Sequence, residues 1–386
     1  MKWNCVRLGD VCSKIGSGAT PKGGATVYID NGISLIRSQN VYNLEFSYDG
    51  LAHITEDAAK KLNGVTVIKN DVLLNITGDS VARTCIVPES VLPARVNQHV
   101  AIVRPNQEEL NPLFLNYYLA SPYMQSFMLG LAVGKGASRN AITKDMIGNF
   151  EVPCPPIDVQ ESIVFILSAY DALIENNQKQ IKLLEEAAQR LYKEWFVDLR
   201  FPGYENTPIV DGVPEGWEKV GLASIAPIVT GKKDANFGTP DGKYLFFTCA
   251  QEPIKAPSYS FDCDAVILAG NGDFNVKLYR GQFEAYQRTY VFSPKDTKHL
   301  YLLYHAVRES MRQLFQGASG STIKFLTKHM LDDIVVFVPD KDSLKIFNNA
   351  FEGIQQKTEC LKAQIVNAQE ARDRLLPKLM SGEIEV

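Results

Sequence analysis

Side chains able to do chemistry gather in this 386-residue chain beside glycines. Four clusters stand out: residues 16–24, 134–139, 231–236 and 317–324, each mixing Gly with Ser, Thr, Lys, Arg or Asn. Such loops bring backbone and short polar groups close to a ligand, because glycine removes the Cβ barrier to close approach. The chemistry they offer is hydrogen bonding and anion contact, not bond making. Catalytic kits are missing by motif. The nearest approach to a P-loop, Gly18 to Gly23, is followed by Gly-Ala in place of Lys-Ser/Thr. No GxGxxG opens a helix after a strand and no HExxH occurs. Asn111-Pro-Leu-Phe114 has one of the two prolines of an amino-methyltransferase motif and reads better as a helix-capping turn. Pro339-Asp340 lacks the acidic-x-Lys that completes a nuclease core.

Composition narrows the class. The seven cysteines form no CxxC pair and the five histidines sit at no metal spacing from them, so reduced thiols in a cytoplasmic protein are expected. No apolar run is long enough to span a bilayer, and the first ten residues carry no signal core. The net charge of −4 resides in 158–198, with eight acidic against four basic side chains; the remainder is neutral. Bulk charge therefore neither proves nor excludes a nucleic-acid partner.

Two long elements must position the loops. From 158 to 196 there is no Gly or Pro, and Ile163, Leu167, Tyr170, Ile174, Asn177, Ile181, Leu184, Ala188, Leu191 and Trp195 recur at alternating steps of four and three. That is the seam of a heptad, on a helix of roughly 57 Å at ~1.5 Å per residue, and its stripe needs a partner. A shift of 184 residues carries the seam onto Phe347, Phe351, Ile354, Thr358, Leu361, Ile365, Ala368, Arg372, Leu375 and Leu379. The same shift superposes Thr143 on Thr327, Met146 on Met330 and Pro155 on Pro339. The chain is thus a two-copy repeat, each copy a globular part followed by a long helix. The copies open alike, at Trp3-x-x-Val6-x-Leu8 and Trp217-x-x-Val220-x-Leu222. Strands are expected at 33–37, 72–76, 97–103 and 266–270, and one helix at 112–131.

The linker from 198 to 216 is rich in Pro and Gly. It reaches at most ~60 Å fully extended, barely the helix length. A parallel pair would need that whole reach and an antiparallel pair almost none, so an antiparallel pair is expected, with Asn177 as a candidate register setter.

This layout resembles the specificity subunit of type I restriction–modification enzymes over the whole chain. The stretches most similar to that family are Ala187 to Gly203, AAQRLYKEWFVDLRFPG, and Leu375 to Ile384, LLPKLMSGEI, with the Trp3 and Trp217 openings. The globular parts match in outline only. The strand runs and helices of the globular parts give an α+β class with a mostly antiparallel or mixed sheet, and the resemblance implies the same. Two target recognition domains, 1–157 and 217–340, would be joined by antiparallel spacer helices, 158–198 and 341–380, in a coiled-coil rod with a pseudo-twofold repeat. The linker would be 199–216 and the tail 381–386. It also implies a non-catalytic chain that reads an asymmetric split DNA site, one half per domain. Two modification (methyltransferase) subunits would hold S-adenosylmethionine, and motor-nuclease subunits would use ATP and Mg²⁺, so this chain would bind no cofactor or metal. Two halves set by a twofold would lie about one duplex turn or more apart, ~34–36 Å or beyond. A stand-alone adenine methyltransferase with fused target domains and a coiled-coil adaptor without a DNA role are the competing readings.

Direct readout uses Arg or Lys on guanine and Asn or Gln on adenine, with Ser, Thr and Lys on phosphates. On those grounds the first domain offers Lys14, Ser17, Thr20, Lys22, Arg37, Gln39, Asn40, Thr77, Arg83, Gln98, Lys135 and Arg139. The second offers Lys232, Lys233, Asn236, Asn271, Lys277, Arg288, Ser319, Ser321 and Lys324. Each alone could be ordinary loop polarity, and Gln39, Asn40, Gln98 and His99 could be core hydrogen-bonders. Tyr192, Trp195 and Phe196 are candidates for docking a modification subunit, or else pack against the second domain.

Overall fold

The computed structural model describes residues 3–133, 141–272, 274–318 and 324–386. The chain forms two compact units, Met1–Asn177 with Ala363–Val386, and Gln178–Lys362. The division falls across the long helices, not at the linker. Each unit takes half of both helices, because side-by-side packing ties each half to the other helix more than to its own continuation.

In the first unit a four-stranded antiparallel sheet runs in the order Thr84–Ile86, Val72–Asn75, Val100–Pro105, Cys12–Ser17. A five-stranded sheet orders Tyr28–Ile29, Ala52–Ile54, Ile33–Ile36, Ala94–Val96 and Thr66–Val67, with one parallel pairing between Ile33–Ile36 and Ala94–Val96. The central strands are apolar on both faces because both faces are covered. Val72, Leu74, Ala101 and Val103 enter one core, whereas Leu73, Val100 and Ile102 enter another. The first core also takes Ile163 and Leu167 from the first long helix and Leu376 and Leu379 from the second.

The expected single helix at 112–131 is two, Pro112–Ala120 and Pro122–Ala132. Pro122 excludes helical geometry at the residue before it, so Ser121 turns extended (φ −62°, ψ 147°) and caps the next helix, its Oγ accepting from Met124 N.

The second unit has one six-stranded sheet, Ile228–Thr230, Thr289–Phe292, Phe261–Ala269, Val276–Ala285, Tyr244–Phe247 and Ile254–Ala256. Tyr244–Phe247 pairs in parallel with Val276–Ala285. Helix Leu300–Gly317 covers one face over Val266, Leu268 and Phe292. Each unit has its own small antiparallel ribbon, Cys5–Arg7 with Glu151–Pro153 in the first and Glu218–Gly221 with Val335–Val338 in the second, in which Val6 faces Val152 and Val220 faces Val336.

The long helices run Ile157–Phe196 and Lys341–Ser381. Every residue of the first seam is buried or half-buried. They lie antiparallel within each unit. In the first, Asp171 bonds Arg372 (2.6 Å) and Asn177 Nδ2 donates to Gln364 Oε1 (3.2 Å), so the partner number falls as the residue number rises. In the second, Tyr192, Trp195 and Phe196 at the end of one helix meet Phe347 near the start of the other. The polar seam residue Asn177, 2% exposed, is therefore partnered across the pair, as a register setter requires.

Candidate nucleic-acid interface

Four segments meet at one rim of the main sheet in each unit, joined by the same kind of backbone bonds. In the first unit Gly18 N donates to Val100 O, Ile76 N to His99 O and Ile142 N to Ile76 O, and Thr77 bridges to Ala141. In the second, Gly231 N donates to Thr289 O, Gly270 N to Arg288 O and Leu326 N to Gly270 O, and Asn271 bridges to Phe325. The glycine that enters each rim has a steric reason. A Cβ on Gly18 would stand 2.0 Å from Val96 O, and one on Gly231 1.9 Å from Ala285 O. These loops are three of the glycine-flanked clusters of the sequence and the strand ends they abut. Lys135, Arg139, Ser319 and Ser321 lie outside the described residues.

The side chains on the two rims differ. In the first, the Thr20 hydroxyl donates to Gln98 Oε1, and Gln98 Nε2 faces His99 Nε2 at 3.3 Å. An amide nitrogen only donates, so the imidazole proton sits on Nδ1, which bonds the Thr77 hydroxyl at 2.5 Å. Beside this relay opens a cleft of about 500 Å³ lined by Ser38, Gln39, Tyr42, Thr77, Arg83 and His99 among others. The Arg83 guanidinium lies 4.7 Å from the centre of the Tyr42 ring. In the second unit Gln287, not singled out from the sequence, donates to Asp234 (2.7 Å) and its backbone N–H to Lys233 O. Lys233 lies 4.4 Å over Phe237, and Lys324 3.9 Å over Phe315. Gln98 and Gln287 hold the same post, tying the strand-end turn to the glycine loop. Superposing Asn97-Gln-His99 on Tyr286-Gln-Arg288 would have revealed the second from the first.

The remaining candidates separate. Lys14 and Ser17 line another cleft, with Lys144, where Lys14 Nζ donates to Gly64 O (2.6 Å); desolvation and Arg104 lower the Lys14 pKa. Lys22, Lys232, Asn236 and Arg288 are exposed. Arg37 and Gln39 both donate to Gly50 O. Asn40 is corrected: it is wholly buried, its amide donating to the Ser47 and Asp49 carbonyls and its oxygen accepting from Arg37 N, so it is a core hydrogen-bonder and presents nothing to a ligand. Lys277 donates to Ala250 O (2.9 Å) and lines a polar cavity with Arg308. Tyr192, Trp195 and Phe196 are at most 7% exposed; Phe196 meets Trp217 at 5.3 Å, which is the packing alternative for these three. Among the described residues no cluster of His, Cys, Asp and Glu could hold a metal, and no helix is long and apolar enough to cross a membrane.

What the rims can do chemically is donate and accept hydrogen bonds from side chains held in place by their neighbours, with cations poised on aromatic faces. That is base-edge and phosphate chemistry.

Known proteins share this organisation. Residues 1–186 and 214–365 each match the family described as type I restriction modification DNA specificity domain. The EcoDI specificity subunit of Escherichia coli is 35% identical over 176 residues, 45% of this chain and 39% of that protein. The MjaIX specificity subunit of Methanocaldococcus jannaschii is 23% identical over the whole chain and 94% of its own length. In fold, the crystal structure of the S subunit of the type I system from M. genitalium superposes with a TM-score of 0.57 at 15% identity, covering 98% of this chain and 96% of that one. Two matches to the specificity domain, covering most of the chain, with two rims of one plan bearing unlike side chains, place this chain in the type I restriction–modification DNA specificity family.

Proposed function

We propose that the chain is the subunit that chooses the DNA site for a type I restriction–modification complex, each unit reading one half of a split, asymmetric site. The observation that carries this is the pair of rims: the same four segments, the same backbone bonds and the same linking glutamine, but different side chains facing outward. A shared frame with divergent contacts suits two readers of different sequences. Arg83 beside Gln39 offers guanine and adenine contacts in the first unit. Lys233, Asn271, Arg288 and Lys324 serve the second. The helices hold the gap between half-sites.

The chain itself carries out no chemistry on DNA in this reading. Two modification subunits supply S-adenosylmethionine and adenine methylation, and restriction subunits using ATP and Mg²⁺ join for cleavage. The test is co-expression with the modification subunits of the same system, followed by mapping of methylated adenines. A split motif with two unlike halves is expected. Methyl transfer from labelled S-adenosylmethionine by the purified chain alone would contradict it, as would unchanged methylation when the chain is omitted.

A further inference from the structure

The two units treat their opening tryptophans differently. In the second, Trp217 is 6% exposed, packed between Phe196 of the first long helix (5.3 Å) and Phe201 (4.4 Å). Phe201 belongs to Leu199-Arg-Phe-Pro-Gly203, the turn that follows that helix. The Trp217 indole N–H faces the Asp340 carboxylate, which burial would raise but which bonds from the Ser343 hydroxyl and the Ser343 and Asp342 backbone N–H groups, with a smaller one from Trp217, hold below its usual range. The site is closed by an aromatic plug from a short proline-containing turn, with an acceptor for the indole.

In the first unit Trp3 stands at the same place on the same ribbon, next to the end of the second long helix. Position 156, a shift of 184 from Asp340, is a proline. The Trp3 Nε1 is buried and meets no acceptor among the described residues. Beside it lies an apolar groove of about 280 Å³ lined by Trp3, Tyr118, Tyr123, Pro153, Pro377 and Met380 among others, with Tyr123 70% exposed. What Phe201 does for Trp217, no described aromatic ring does for Trp3: Phe201 lies tilted against Trp217 with ring centres 4.4 Å apart, and Trp3 has no such ring pair among the described residues.

We infer that this groove is a docking site for another protein chain, which inserts an aromatic side chain carried on a short proline-containing turn. The chain's own sister site supplies the occupant's chemistry: one ring of Phe size for the groove and a carbonyl or carboxylate oxygen for the Trp3 N–H. Burial of one ring supports only a weak contact alone, on the order of millimolar, so the site serves as one anchor within a larger interface.

The probe is the octapeptide LRFPGYEN, the sequence of residues 199–206, titrated into the full ¹⁵N-labelled chain. The readout is the Trp3 indole N–H resonance, assigned by Trp3→Phe. A saturable shift of that resonance alone is expected, lost when the peptide's Phe is replaced by Ala and weakened about threefold to tenfold by Tyr123→Ala, an exposed position that spares the fold. No saturation by roughly 5 mM would overturn the inference. So would equal binding of the Ala peptide, or a shift at Trp217 in place of Trp3. A chain dimer dissociated by the peptide would give the groove to a second copy and overturn the assignment to another protein. The titration involves neither DNA nor methylation, so its outcome is independent of the proposed function.

Discussion

Arg83, half-buried, rests on the face of Tyr42 and lines the first unit's cleft. Arg83→Ala is expected to weaken binding by about 1–3 kcal/mol and to relax discrimination in one half-site only. Competition gel shifts with duplexes altered in either half, done with the modification subunits present, measure this; equal relaxation in both halves would count against it. Gln98→Ala should act through Thr20 and His99, loosening the same half without removing a base contact. At this scale the sequence was readable by residue type and not by role. Gln98 and Asn40 look alike as amides beside strands. One lies on the rim and the other is buried among the Ser47 and Asp49 carbonyls, because only the tertiary fold decides which amide has carbonyls around it. His305 was invisible as a special residue. It stacks on Tyr192 (ring centres 5.8 Å apart) and lies tilted against Phe351 (4.2 Å), and burial, aided by Arg308, lowers its pKa from 6.5 to about 3. The unfolded chain therefore takes up a proton between pH 6.5 and 3 that the folded one refuses. Stability tied to this group is complete above pH 6.5 and drains as pH falls toward 3. Thermal melts from pH 7.5 to 5 should show a loss in the parent that His305→Phe, which keeps the stack, reduces; identical pH slopes would refute it.

The long helices were the most legible elements, since steps of four and three over ten positions admit no other regular structure. Their mutual direction followed from linker reach and is realised by named pairs. Arg372 at a seam position bonds Asp171, which also accepts from the Tyr117 hydroxyl, itself pushed up in pKa by burial and by that carboxylate. Removing one partner strands the other: Arg372→Ala should cost about 1–3 kcal/mol in urea unfolding of the first unit, with a positive coupling to Asp171→Ala in a double-mutant cycle. Trp195→Ala opens a cavity in the aromatic cluster with Phe347 and should cost the second unit about 3–5 kcal/mol. Strand pairing was less legible. The order of the six-stranded sheet joins Thr289–Phe292 to Ile228–Thr230 across sixty residues, and no local pattern encodes such a partner. The break at Ser121 was in the sequence, in the proline after it, but the apolar run on both sides hid it.

At the scale of the molecule, duplication is the organising fact. A shift of 184 carries helix onto helix and the closing strand of each ribbon onto its copy, and a shift of 214 carries Val6 onto Val220 in the opening strand, so shared architecture was legible wherever the copies agree. The sheets between are unlike, nine strands in two sheets against six in one, and there the repeat gave no help. That divergence is what two separate readers would need, and it predicts modularity. Replacing 217–340 with the corresponding segment of a relative should leave the half-site read by the first unit untouched.

Methylome mapping of cells carrying the modification subunits with either the parent chain or that exchange tests the central claim most directly. The account predicts a split motif with two unlike halves, of which the exchange alters one and preserves the other. A single continuous motif, or an exchange that rewrites both halves, would contradict it.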